Sequence, residues 1–394
     1  MSATALPPSR RYWEIDAVRG LMLVLMTITH VPTRFTDPVG QPFGFVSAAE
    51  GFVLLSAFVS GLVYGRIGYT QGVHAMRRGF WKRAVRIYMS QAALLLFLFT
   101  VITALAIGLH IEEPQVKDLL KYYLAHPHEG FLYSLLLVYQ PALLDILPLY
   151  ILFMLLSPWV MAYALRHGWQ VPMLLSALLW AGAQFGMTPW LHEHLMMGLL
   201  GIPIPFNETG SFDTFAWQFL WFFGLWMGAS RNAPGAQPIV IPRRVVQIAV
   251  VVAVGCLAWR HLSPWGQAPF GEHAELNLLF DKWRLGPLRL LDLAAIGIVA
   301  FRFGPGWLSH LPRPRWLETM GSASLAVFCA HLVAVLIVVA LFGHRARPLW
   351  ADLALLGSVF LWLYAVAWAV ARFEARERAG KRRAPALADA GRRA

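Results

Sequence analysis

Asp16-Ala-Val-Arg-Gly-Leu-Met-Leu-Val-Leu-Met-Thr-Ile-Thr-His30 mixes charge into the first apolar segment of the chain. It sits in an apolar run long enough to cross a bilayer. It also carries a carboxylate, a guanidinium and an imidazole. Charge inside lipid is costly, so such groups face a protein interior or a wet cavity and are functional candidates. On a helix turning ~100° and rising ~1.5 Å per residue, Arg19 and His30 differ by about 20° in direction and lie roughly 16 Å apart. Asp16 falls within about 40° of His30 on the same wheel. One polar stripe therefore runs most of the way across a membrane, and the remaining chain reads as the bundle that hides it.

The composition agrees. Of 394 residues, 58% are hydrophobic and only 14% charged, with a mean hydropathy of +0.56. A soluble domain carries about a quarter charged residues. Repeated long apolar runs predict an all-α polytopic membrane protein, since lipid demands an internally satisfied backbone and uninterrupted runs favour helices over a barrel. Ten spans are expected, at 15–33, 45–65, 87–109, 142–164, 171–188, 214–230, 245–262, 287–303, 321–342 and 349–371. The first is too polar for a signal-peptide core and lacks a small-residue cleavage site, so it is read as a retained span. Residues 1–372 form one transmembrane domain, and 373–394 a basic tail expected to be disordered.

Most of the 33 Lys and Arg fall on one side of the ten spans, which places both termini in the cytoplasm. The net charge of +12 is then a topology signal, which argues against a nucleic-acid partner. Residues 66–86 read as a basic cytoplasmic loop, and 263–286 as an outward loop. Pro141 and Pro148 are expected to break the long apolar stretch 131–164, leaving a half-helix or interfacial segment before the fourth span. Cys256 and Cys329 read as small packing residues. His126-Pro-His128 and His192-Glu-His194 have no partner at a metal-site spacing, and no metal is expected.

The chemistry-bearing residues collect at two depths. His30 ends the first span and Glu50 begins the second, which puts an imidazole and a carboxylate at one outward level. A His oriented by an acid is suited to act as a general base on a hydroxyl. The bland alternative is a buried polar pair that fixes helix packing. Asp145, Gln218, Arg289 and Asp292 open later spans at the same depth and outline an outward polar cavity. Trp217, Trp221 and Tyr150 lie near them; such rings can stack on sugars, but Trp and Tyr also gather at any membrane interface. At the inner face, Arg83 and Arg86 share a helix face one turn apart. Arg suits planar contacts with phosphate oxygens, although the inward bias of positive charge also accounts for both. His331 lies deep in the ninth span, as a proton or ligand contact or as a core histidine.

These stretches resemble a known family. Asp16-Ala-Val-Arg19-Gly…His30, Arg83-x-x-Arg86 and Ser-Leu…His331 are similar to motifs of the membrane-bound acyltransferase 3 superfamily. Arg11-Tyr-Trp-Glu-Ile-Asp-Ala-Val-Arg-Gly, Ala49-Glu50-Gly-Phe-Val-Leu-Leu-Ser, Gln140-Pro-Ala-Leu-Leu-Asp145-Ile-Leu-Pro-Leu-Tyr150, Phe215-Ala-Trp-Gln218 and Leu285-Gly-Pro-Leu-Arg289 resemble, more specifically, the OpgC family, which succinylates osmoregulated periplasmic glucans. Ala57 follows Ser56 where the family pattern carries Gly. The resemblance implies an acyl-CoA donor, succinyl-CoA first among them, and a sugar hydroxyl acceptor outside the inner membrane, on a periplasmic glucan or, as the alternative, another envelope glycan. It implies that His30 takes the catalytic role, for which Glu50 is the expected orienting acid, that Arg83 and Arg86 bind the donor's phosphates or hold the cytoplasmic entrance, and that Asp16 and Arg19 shape the channel between; His331 is expected among the donor contacts. No permanently bound cofactor is implied. The acceptor side would use Asp145, Trp217, Gln218, Arg289 and Asp292. A proton-coupled transporter is the competing class; it would share the stripe and the outer carboxylates, but would add inverted repeats and paired broken helices.

Overall fold

The computed structural model describes residues 12–390 apart from 112, 234, 238, 311 and 344–346, and the side chains of 308 and 378–390 lie outside the description. Arg10, Arg11 and residues 391–394 of the expected tail also lie outside it. Among the described residues the protein is all helix, with no strand.

The first helices are α1 (Trp13–His30), α2 (Ala48–Gln71) and α3 (Val73–Phe97). The last continues through a wider π turn at Leu98–Ile102 to Gly108. Two short helices follow, α4 (Pro114–Ala125) and α5 (Pro127–Leu135). Then come α6 (Ile146–His167), α7 (Gln170–Gln184), α8 (Thr214–Ser230), α9 (Arg243–Leu262) and α10 (Pro287–His310). The chain ends with α11 (Arg315–Ser322), α12 (Ser324–Phe342) and α13 (Leu349–Ala390).

A helix therefore stands at each of the ten expected spans. Six of them, α2, α3, α6, α9, α12 and α13, are long and apolar enough to cross a membrane on their own. The remainder fall short for readable reasons. The 18 residues of α1 include Glu14, Asp16 and Arg19, and α8 has only 17 residues. Helix α7 joins Met187–Leu199 at a bend of 87°, a broken span or a re-entrant loop. One such bent pair occurs among the described residues, whereas inverted-repeat transporters carry theirs in twos.

Two expectations change. Residues 66–86 are not a loop. Helix α2 runs to Gln71, Gly72 turns the chain at φ +88°, and α3 begins at Val73. Only glycine adopts that φ without strain. Arg and Lys are good helix formers, and Met76, Phe80, Ala84 and Ile87 give α3 a buried stripe at helical spacing beneath its basic face. Nor does Pro148 break anything. It sits in the first turn of α6, where its missing N–H has no intrahelical partner to lose. The interruption expected before this span is nonetheless present, as the short α4 and α5 and the turns up to Asp145. At the far end α13 continues as helix into the residues set apart as a tail.

Small residues decide which helices meet, because lipid gives apolar helices no hydrophobic reason to associate and close backbone contact must supply it. Gly61 and Gly65 of α2 lie against Leu225 and Ala229 of α8, and Gly228 returns the contact against the Phe58 carbonyl. Gly20 of α1 lies under the Leu317 carbonyl of α11, and Gly321 under the Asp16 carbonyl. A side chain at Gly20, Gly61, Gly228 or Gly321 would meet neighbouring backbone and displace a helix. Helix α1 is thus gripped by α2, α11 and α12 and becomes the interior of the bundle. Its polar stripe is buried by neighbours. Helix α9, by contrast, presents Val245, Ile248, Val251, Val254 and Leu257 outward, a lipid-facing stripe.

Candidate active site

The α1–α12 interface carries the site. His30 stands at the end of α1 and His331 midway along α12, and their Nδ1 and Nε2 atoms are 3.2 Å apart. The two rings lie 5.2 Å apart at 42°. Thr27, one turn before His30, approaches His331 Nδ1 with its hydroxyl at 3.2 Å. That hydroxyl also donates to the Leu23 carbonyl at 2.8 Å. His331 and Thr27 are fully buried, while His30 is half-buried. His30 Nε2 has no side-chain hydrogen-bond partner among the described residues, and the ring also lies within reach of the Met26 carbonyl one turn back. Nε2 is therefore the open nitrogen of the pair.

Toward the other end of α1 the stripe continues. Arg19 donates to Ser324 Oγ at 2.5 Å, at the start of α12. Asp16 lies 4.0 Å from the Arg19 guanidinium. Arg19 also sits 5.9 Å from the Phe52 ring, which stacks 6.0 Å from Phe328, itself 5.9 Å from His331. An aromatic pair thus separates the guanidinium from the two imidazoles. Arg83 turns inward and is within electrostatic reach of Tyr64 and Tyr150, and Tyr150 is within reach of Arg19. Arg83 is half-buried and Arg86, one turn on, exposed, yet both are within electrostatic reach of Tyr64 and of each other.

Glu50 does not orient His30. Its carboxylate closes the capping box of α2, accepting from the Ser47 N–H at 3.1 Å and the Ser47 hydroxyl at 2.5 Å, and it forms an ion pair with Arg289. Arg289 also donates to the Phe280 carbonyl at 2.9 Å. Both residues are buried, and the carboxylate is fully engaged. The group that meets His30 is His331, which the sequence placed on the donor path. Helix registry explains the change: α12 runs along α1 from Ser324 beside Arg19 to His331 beside His30, while the start of α2 is tied to Arg289 at the start of α10.

The other expected acceptor contacts are mostly committed to structure. Gln218 accepts from Ser176 Oγ at 2.7 Å and donates to the Ser176 and Phe215 carbonyls at 2.8 and 2.9 Å, fastening α8 to α7. Trp217 is fully buried and donates to the Trp283 carbonyl at 3.0 Å, so its face is not open to a sugar. Trp221 donates to Ser157 and Tyr150 to the Phe52 carbonyl. Asp145 Oδ2 accepts from the Ser211 N–H at 2.9 Å. Asp292 Oδ2 accepts from the Phe45 N–H at 2.8 Å, but its Oδ1 is buried without a partner.

Lys282 stands out in the sequence only as one polar residue of the outward loop 263–286, not as a site residue. It lies in the loop before α10, with its amine 4.6 Å from the Trp283 ring. Burial lowers its pKa, and Arg289 lowers it further against the opposing pull of Glu50 and Asp145. Its charge also reaches His30. No periodicity marks a lone loop lysine between Asp281 and Trp283, so nothing in the sequence could single it out.

No curated protein and no solved structure shows a significant match to the chain. The profile of the family described as OpgC protein matches residues 11–375, nearly the whole of the chain and every residue of the site. The chain belongs to the OpgC protein family.

Proposed function

We propose that the protein is a membrane O-acyltransferase that moves a short acyl group, succinyl first, from cytoplasmic acyl-CoA to hydroxyls of a periplasmic glucan. The observation that carries the reading is the His30–His331 pair with one nitrogen of His30 left open. Family membership supports a transferase acting on envelope glucan, and the apolar helices support a membrane setting, for which we propose the inner membrane with both termini in the cytoplasm.

In the proposed reaction His30 Nε2 accepts the proton of a glucan hydroxyl. The oxygen attacks the thioester carbonyl, the new C–O bond forms and the C–S bond breaks. The proton then passes from His30 to the departing thiolate sulfur, giving free CoA and the ester. General-base assistance of this kind contributes typically about 10²–10⁴-fold. The donor's phosphates would rest at Arg86 and Arg83, and its arm would follow Tyr150 and Arg19 toward His30. Cations matter there because guanidinium groups hold phosphate oxygens in a planar fork. Lys282 and the orphaned oxygen of Asp292 would face the acceptor.

The test uses the full chain in proteoliposomes with succinyl-CoA and purified glucan, read by mass spectrometry of the glucan. Wild type adds succinyl-sized increments, and His30→Ala adds none while purifying as a folded membrane protein. Acylation by His30→Ala at the wild-type rate overturns the assignment of the base. Absence of any increment with wild type, across succinyl- and acetyl-CoA, overturns the transferase reading.

A further inference from the structure

We infer that Thr27, acting through His331, fixes which nitrogen of His30 carries the proton, and so makes His30 Nε2 the base. The inference deepens the proposed reaction and rests on His30 as its base. It follows from the directions of three hydrogen bonds. The Thr27 hydroxyl has one hydrogen, and this is given to the Leu23 carbonyl at 2.8 Å, the shorter of its two contacts. Toward His331 Nδ1 the hydroxyl can then only accept. His331 Nδ1 must therefore carry a hydrogen. In the neutral ring His331 Nε2 is left as a lone pair, and it faces His30 Nδ1 at 3.2 Å. A lone pair there requires a hydrogen on His30 Nδ1. In a neutral His30 the lone pair then falls on Nε2, the nitrogen with no side-chain partner among the described residues. The tautomer of an imidazole is set by the bond its other nitrogen makes, and here that bond is set two groups away.

The same chain of donors serves the charged state. Once Nε2 has taken the acceptor's proton, the Nδ1–H of the imidazolium still points at the lone pair of His331 Nε2, which spreads the charge over two rings. Neither Thr27 nor His331 touches the reacting atoms in this scheme, so both are positioning residues. The α-helix supplies the geometry. A hydroxyl bonding to the carbonyl four residues back is a local habit of Thr, and Thr27 and His30 share a face at i, i+3. Val at position 27 keeps the shape and removes the hydroxyl. His331 is then free to protonate Nε2, donate to His30 Nδ1, and force the hydrogen of His30 onto Nε2, where it blocks the base.

The experiment compares Thr27→Val and Thr27→Ser in the full chain in bilayers. Two readouts are used: acylation kinetics and histidine 15N solid-state spectra, assigned by difference with His30→Gln and His331→Gln. The expected result is a kcat at least tenfold lower for Thr27→Val with the KM for acyl-CoA unchanged, and recovery to near wild type in Thr27→Ser. The resting wild type should show His30 and His331 both protonated on Nδ1, and Thr27→Val should move His30 to Nε2–H. Wild-type His30 protonated on Nε2, or equal kcat in Thr27→Val and wild type, overturns the relay. If either occurs while His30→Ala remains inactive, only the relay falls. If His30→Ala is active, the base itself is wrong.

Discussion

Two buried polar pairs lie near one another in this bundle and have opposite characters. Glu50–Arg289 is closed. Each partner neutralises the other, Glu50 also accepts from Ser47, and Arg289 also donates to the Phe280 carbonyl. His30–His331 is open. It contains no carboxylate, it is tied down on one side by Thr27, and it leaves one nitrogen with no side-chain partner among the described residues. The contrast separates a pair whose carboxylate is fully committed from a pair with one nitrogen still available for the proposed chemistry. Both pairs contain residues that a sequence reader selects for the same reason, namely charge within an apolar run. Only the count of satisfied hydrogen-bonding groups tells them apart.

The closed pair breaks most severely. Arg289→Met should leave Glu50 as a buried, uncompensated charge, a change that costs about 3–5 kcal/mol. We expect loss of the folded protein from detergent extracts, measured by size-exclusion chromatography, and recovery in the double variant Arg289→Met with Glu50→Gln. A double variant that folds and retains acylation confirms that the pair is architectural. One that folds but loses acylation, with KM for the glucan raised, would move Glu50 and Arg289 into the site.

Trp217 offers a sharper, smaller test of the same distinction. Trp217→Phe keeps an aromatic ring and removes the hydrogen bond to the Trp283 carbonyl. Loss of such a bond with its partner left buried costs about 1–3 kcal/mol. The thermal midpoint should fall by several degrees, while the KM for the glucan stays within twofold of wild type. A tenfold rise in that KM without a change in thermal midpoint would restore Trp217 as a sugar platform.

The smallest effect concerns Lys282. Its folded-state pKa is lowered, so in the pH window between that value and the ordinary lysine value of about 10.4 the unfolded chain holds more protons. Stability therefore rises with pH across that window, by at most about 1.4 kcal/mol per pH unit for one group. Lys282→Met should flatten this alkaline rise in thermal midpoint. An unchanged slope would show that the amine is hydrated like any surface lysine and is not held among Glu50, Arg289 and Asp145.

Much of the bundle was legible because its causes are local. Apolar length marks the helices and Gly and Pro mark the breaks; a helix stands at each of the ten expected places, and among the described residues six are long and apolar enough to cross a membrane alone. The failures are local as well. A basic stretch at 66–86 looks like a loop until Met76, Phe80, Ala84 and Ile87 are read as a stripe. Pro148 looks like a break until its position in the first turn is known. The candidate site was legible in part. His30, Arg19, Asp16 and His331 stood out by charge or imidazole within apolar runs. Their pairings did not.

Read alone, the sequence shows a helical chain apolar enough for a membrane, a first helix too polar to face lipid, and His30 as a candidate for chemistry. Those conclusions need only the cost of charge in hydrocarbon and the periodicity of a helix. The tertiary structure alone decided that His30 meets His331, that Glu50 is spent on Arg289, and that Trp217 and Gln218 are fasteners. Such outcomes depend on which helix faces cross and at what register. That choice is made by close contacts between distant glycines and backbone carbonyls, Gly20 under Leu317 and Gly321 under Asp16, which no local pattern in the chain encodes.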